Sequence, residues 1–232
     1  MEKDITIGQI VVRDYRTAAI FRDYDIDFCC GGQRYLSDVC YEKGIDSAEL
    51  AERLDEVLLK ADRPGDDFKE LSIDSLCDYI VRVHHGYILK TLPDLRVYTG
   101  KIAEVHGGNH KELLEIAEIF SRTGDELLIH LEKEEGIIFP SVKKLSGSDS
   151  SGAAVILGKE LENLVKEHED AGSAMAYIRK ISGGYFVPED GCNTWRVAYS
   201  MLENFEDDLH MHVHLENNIL FPSVSEIIKN IK

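Results

Sequence analysis

From Ser72 onward the apolar positions fall at spacings of three and four, the period of amphipathic helices. Four long stretches show it. The first carries Val81, His85, Ile88, Leu92 and Leu95, with a bend expected at Pro93. The second carries Leu113, Ile116, Phe120, Leu127, His130, Glu134 and Ile138, and a Gly/Ser/Asp loop over 146–152 ends it. The third carries Leu157, Leu161, Leu164, His168, Ala171, Met175 and Ile178, before Gly183, Gly184 and Pro188. The fourth carries Trp195, Ala198, Leu202, Phe205, Leu209, His212, Glu216 and Ile219. Four helices with short connections and one apolar stripe each predict an antiparallel four-helix bundle over 70–232.

The first sixty or so residues read as a smaller helical unit, and the fold class is all-α. Thr6 caps a short helix through Arg13, and Arg16 to Tyr24 form another. The glycines of Asp25-Ile26-Asp27-Phe28-Cys29-Cys30-Gly31-Gly32 make a turn. Ser47 caps an amphipathic stretch with Leu50, Leu54, Val57, Leu58 and Ala61 on one face. The run Ala61 to Asp67 has linker composition, which places an N-terminal domain over 1–64.

Four histidines and two glutamates sit on the core stripes rather than on solvated faces. A carboxylate in a core position is costly unless it is paired or bound to a metal. Two of these sets repeat. His130-Leu131-Glu132-Lys133-Glu134 leads to Phe139-Pro140-Ser141-Val142, and His212-Val213-His214-Leu215-Glu216 leads to Phe221-Pro222-Ser223-Val224, with matched positions 82 residues apart. Histidine and glutamate four apart share one helix face. The lone histidines keep step: His85 lies 45 residues before His130, and His168 lies 44 before His212. Each half-bundle then offers one histidine from its first helix and a His-x-x-x-Glu from its second. Six ligands for two divalent cations give two histidines and one carboxylate each if every glutamate is counted once, the open-sided arrangement of non-haem iron. Glutamates that bridge both ions fit the same spacing. The open positions suit a small molecule such as O2 or NO.

The neighbouring histidines sort by angle. His210 and His214 lie about 200° around the helix from His212 and align with Leu128 and Glu132 of the first copy, so the repeat does not make them ligands. His84 lies about 100° off the stripe, but Val83 and Ile80 offer a competing face, so His84 and His85 both stand as candidates. His106 and His110, near the first interhelix turn, read as surface residues, and Phe139 and Phe221 as packing over the site. Glu167 reads equally as an outer partner or proton carrier and as an exposed glutamate.

A net charge of −17 argues against nucleic acid and anionic membranes. No apolar run reaches the length of a membrane span, and the N-terminus lacks a secretory pattern, so a cytoplasmic protein is expected. Five irregularly spaced cysteines fit reduced thiols better than a disulfide framework. Cys29 and Cys30, an adjacent pair that cannot easily form a relaxed disulfide, are candidates for thiolate ligation, iron transfer or redox work. Cys40, Cys77 and Cys192 read as plain core or surface residues.

These motifs resemble those of the YtfE/ScdA-type di-iron proteins for repair of iron centres, whose bundle is hemerythrin-like. The resemblance rests on Asp27-Phe28-Cys29-Cys30-Gly31-Gly32, on His130 to Pro140, on Glu167-His168-Glu169-Asp170-Ala171-Gly172 and on His212 to Pro222. It spans nearly the whole chain. It implies two iron ions per chain held by His85, His130, Glu134, His168, His212 and Glu216, with both glutamates bridging. The distance to Leu92-Pro93 selects His85 over His84 within this resemblance. It implies a role in restoring iron-sulfur clusters after nitrosative or oxidative damage, with iron-sulfur proteins as clients. Redox chemistry on NO or nitrite, and sensing of O2 or NO, are the competing expectations. A homodimer is compatible with an exposed cysteine-bearing domain.

Overall fold

The computed structural model describes residues 5–59, 68, 70–145 and 150–231. The expected linker at Ala61 to Asp67 and the first part of the 146–152 loop lie outside these residues. From Ser150 the chain is already helical, so the loop is shorter than the glycine and serine content suggested.

Four short helices form the N-terminal unit: α1 (Ile7–Arg13), α2 (Thr17–Asp23), α3 (Leu36–Lys43) and α4 (Ser47–Leu58). Thr6 accepts from the Gln9 N–H while the Gln9 side chain returns to the Thr6 N–H, a capping box that satisfies two orphan donors. Asp46, not Ser47, caps α4; its Oδ1 accepts from the Ala48 N–H at 2.8 Å. A carboxylate at the positive end of the helix dipole is the better cap, and Ser47 becomes the first helical residue. Helix α3 was not foreseen.

The bundle comprises α5 (Ile73–Ile80), α6 (Gly86–His106), α7 (Lys111–Lys133), α8 (Phe139–Lys144), α9 (Ser150–Ile181), α10 (Asn193–Leu215) and α11 (Phe221–Ile231). Three π-helical segments, Val81–His85, Glu134–Ile138 and Glu216–Leu220, join α5 to α6, α7 to α8 and α10 to α11. Four long rods result, of which only α9 lacks a π segment. Ser72 caps the first rod through the Ser75 N–H. Pro93 lies inside α6 and does not end it. Helix α6 packs between α7 and α10, and α7 packs on α9.

Each π segment widens a turn by one residue and shifts the buried face. After Glu216 it is Leu220 that is fully buried, while the expected Ile219 is only partly so. The first copy does the same with Ile138 buried and Ile137 half exposed. At Val81–His85 the wider turn lets both His84 and His85 face inward. Among the described residues there is no strand, only an isolated bridge between Thr6 and Tyr35, and no helix is long and apolar enough to cross a membrane.

The N-terminal unit is not a separate globule. Its buried residues, among them Ile10, Phe21 and Phe28, belong to one continuous apolar cluster with Leu92, Met175 and Phe205 of the bundle. Gly8 and Gly32 press against the side chain of Asn218 so closely that a Cβ on either would collide with it.

Candidate metal centre

Helical spacing and the π segments bring six side chains to the middle of the bundle. His85, Glu134 and Glu216 are fully buried, and His130, His168 and His212 are at most 5% exposed. Their donor atoms form two groups. His85 and His212 face Glu134 and Glu216 on one side; His130 and His168 face the same two glutamates on the other. His84 is buried too but belongs to neither group.

The carboxylates divide their oxygens between the groups. Glu134 Oε2 lies 3.3 Å from His85 Nε2, and its Oε1 lies 3.3 Å from His130 Nε2. Glu216 Oε1 lies 3.3 Å from His212 Nε2, and its Oε2 lies 3.1 Å from His168 Nε2. Both glutamates are therefore shaped as bridges. The grouping also differs from the half-bundle expectation: His85 pairs with His212 and His130 with His168, each pair drawn from both halves of the sequence. The reason is the order of packing, since α6 lies against α10 and α7 against α9.

His130 Nε2 and His168 Nε2 lie 3.1 Å apart, but most of the other donors find no partner. Among the described residues His85 Nε2, both oxygens of Glu134 and of Glu216, and both ring nitrogens of His212 are buried without a hydrogen-bond partner. Buried carboxylate oxygens are rarely left so. The spacing fits cations instead. Donors about 2.0–2.2 Å from a divalent ion, at right angles, stand about 3 Å from each other. Imidazole with carboxylate is a donor set for iron, manganese or zinc.

Outer contacts fix three of the rings. His85 Nδ1 donates to Glu135 (2.8 Å), His130 Nδ1 to Glu167 (2.6 Å) and His168 Nδ1 to the Asn217 side-chain oxygen (2.9 Å). Each partner atom only accepts, so a proton sits on Nδ1 and Nε2 is the nitrogen turned towards the glutamates. Lys133 holds Glu167 from its other oxygen. Phe139 lies over the ring of His85 and Phe221 over that of His168, with centroids 5.7 and 5.9 Å apart. A cavity of about 220 Å³ reaches His130, His168 and His212 between α7, α9 and α10.

The ionisable groups at the centre perturb one another strongly. Burial disfavours a charged His130, but Glu134 and Glu167 outweigh it and lift the ring to about 10. Burial and mutual repulsion work against both central carboxylates, yet the histidines around them hold Glu134 and Glu216 below the usual range. His130 in turn is the main reason Glu167 drops to about 2. A proton on imidazole stands where a cation would supply the positive charge.

The remaining candidates occupy other places. His210 and His214 face the N-terminal unit, against the ring of Phe28. His110 is partly exposed between Glu112 and Asp190, and His106 packs on Trp195. Cys29 is buried and Cys30 partly exposed; both are free thiols, with sulfurs 3.9 Å apart. Asp27 orders their turn by accepting from the N–H groups of Cys29, Cys30 and Gly31. The hydrogen bond to Cys30 and then burial push the Cys29 thiol well up, so it stays protonated until a cation or base displaces the proton. The pair borders a cavity of about 760 Å³ against α9 and α10. Sequence reasoning missed Asn218, whose amide donates to the Cys29 carbonyl at 3.0 Å. The spacing of His214 and Asn218, four apart on one face, was the available signal.

Comparison with known proteins agrees with this geometry. Residues 78–224 match the hemerythrin HHE cation binding domain, and residues 3–58 match ScdA_N, a domain of unknown function. The iron-sulfur cluster repair protein ScdA of Staphylococcus epidermidis is 36% identical over 218 residues, covering 93% of this chain and 96% of the relative. The chain belongs to this family. YtfE of an Enterobacter species, also an iron-sulfur cluster repair protein, is 31% identical over 95% of this chain and 96% of its own. A probable iron-sulfur cluster repair protein of Haemophilus influenzae is 33% identical over 94% and 95%. In this chain the match to the cation binding domain covers the helices that carry the two histidine pairs.

Proposed function

We propose that the chain holds two iron ions, one at His85 and His212 and one at His130 and His168, bridged by Glu134 and Glu216, and supplies iron to rebuild damaged iron-sulfur clusters. The observation that carries the reading is the division of each glutamate's oxygens between two histidine pairs. The names of its relatives supply the reaction context. Iron bound there would supply exchangeable metal. The protein's own groups do the rest. Glu135, Glu167 and Asn217 hold three rings in the ligating tautomer, while Phe139 and Phe221 cover the two sides. With four histidines and only two carboxylates, protonation of the rings competes with the ions, so acid favours release.

The cavity at His130, His168 and His212 supports a second reading, in which NO or O2 reaches the ions from between α7, α9 and α10. The free Cys29 and Cys30 then serve as a source of electrons.

The deciding experiment loads the protein with ferrous iron and adds it to a cluster enzyme inactivated by nitric oxide. The iron-loaded chain is expected to restore activity and Glu134→Ala is not. Failure of the loaded chain, where the same amount of free ferrous iron succeeds, overturns the supply reading.

A further inference from the structure

The duplicated site is not symmetric, and the break lies outside the ligands. The residue after each glutamate ligand keeps step: Glu135 holds His85, and Asn217 holds His168. The residue before each lone histidine does not. Glu167, before His168, holds His130 Nδ1 at 2.6 Å and is itself held by Lys133. The matching residue before His85 is His84. Its ring lies parallel to His212, at 4° and 5.8 Å between centroids, and its Nδ1 turns away to Asp208 at 3.0 Å. His212 Nδ1 is left buried and without a partner among the described residues. The residue matching Lys133 is Leu215, which cannot supply a charge.

We propose that His84 makes the two ion positions unequal, so that the ion held by His85 and His212 leaves first. The inference rests on the di-iron reading above and names which position supplies the iron. The pair His130 and His168 is oriented by two outer acceptors, one of them a carboxylate locked by a lysine. The pair His85 and His212 is oriented by one. An outer hydrogen bond to a ligating histidine fixes its direction and raises its basicity, and losing it typically costs about 10–100-fold in metal affinity. His84 is a positioning residue: it acts through His212, by withholding the contact that Glu167 gives to His130.

The test is stopped-flow release from the protein loaded with two ferrous ions, using an excess of a ferrous-specific chelator. Two phases of one iron each are expected, about 10–100-fold apart in rate. Glu167→His, which gives the second pair the arrangement of the first, is expected to speed the slow phase towards the fast one. His84→Glu is expected to slow the fast phase. A measurement on the unaltered ferrous protein stands beside the variants: proton NMR of the shifted imidazole N–H signals should show three that exchange slowly with solvent and one that exchanges faster. Release of both irons in one phase overturns the inference while leaving the di-iron reading intact, as does a slow phase unmoved by Glu167→His. A chain that holds fewer than two irons overturns both.

Discussion

The side-chain amide of Asn218 donates to the backbone carbonyl of Cys29 at 3.0 Å, across 189 residues of sequence. Asn218 stands two residues after the ligand-position Glu216, inside the same π segment. The turn that presents the two thiols is thus fastened to the segment that presents the buried carboxylate of Glu216. Gln33 reaches the same side-chain oxygen at 3.3 Å, and Gly8 and Gly32 leave it room. Asn218→Ala should cost about 1–3 kcal/mol, because a part-buried carbonyl loses its donor. Gly8→Ala should cost about 1–3 kcal/mol by overpacking. Chemical denaturation measures both, and hydrogen exchange at Cys29 to Gly32 should quicken in each.

If Glu134 and Glu216 bridge two ions as proposed, the glutamates and histidines differ in their effect on metal content. Glu134 faces His85 and His130 at 3.3 Å each, so Glu134→Ala removes a donor from both positions. His85→Ala removes a donor from one. Plasma emission spectrometry of reconstituted protein should find about one iron per chain in His85→Ala and well under one in Glu134→Ala. Equal losses in the two variants would exclude the bridge.

Phe221 lies nearly parallel to His168, at 7° and 5.9 Å, and is 5% exposed. Phe221→Ala should lower stability by about 3–5 kcal/mol through the cavity it leaves. It should also uncover His168, so that iron release from the His130 and His168 position quickens while that from the other position holds steady. Thermal melting and the same chelator assay separate the two effects.

Cys192, read from the sequence as a plain core or surface residue, is a thiol ready to react near neutral pH. The neighbouring His106 is the chief cause, and against some burial it brings the thiol down from 9.0 to about 7. Cys29 goes the other way. The thiolate is the nucleophile, so alkylation of Cys192 should rise with pH through about 7 and level off above it. His106→Ala should move that midpoint upward. Peptide mapping after brief iodoacetamide treatment at pH 7 should find Cys192 modified well ahead of Cys29.

The six side chains that cluster in the bundle stood out in the sequence because two independent regularities coincided on them, helical spacing and an 82-residue repeat. The pairing of His85 with His212 was not, since spacing along a helix says nothing about which helices lie side by side. The π segments left a trace only in the inconsistency between Ile138 and Ile219 as core positions, which Leu220 resolves. Helix α3 went unseen because it buries only Leu36, Val39 and Cys40 in eight residues. Asn218 and His214 align with Gly136 and Glu132 of the first copy, so the repeat hid the docking contacts of the second.

Each histidine pair takes one member from each half of the duplicated sequence. A polypeptide with a single copy would therefore complete neither pair by itself. Two such polypeptides laid face to face would complete both at once, with each glutamate reaching across. The present chain has the architecture of a two-fold dimer fused into one gene product. Within that two-fold frame His84 and Asn218 are departures: His84 stands where the other half has Glu167, and Asn218, where the first copy has Gly136, reaches the Cys29 carbonyl.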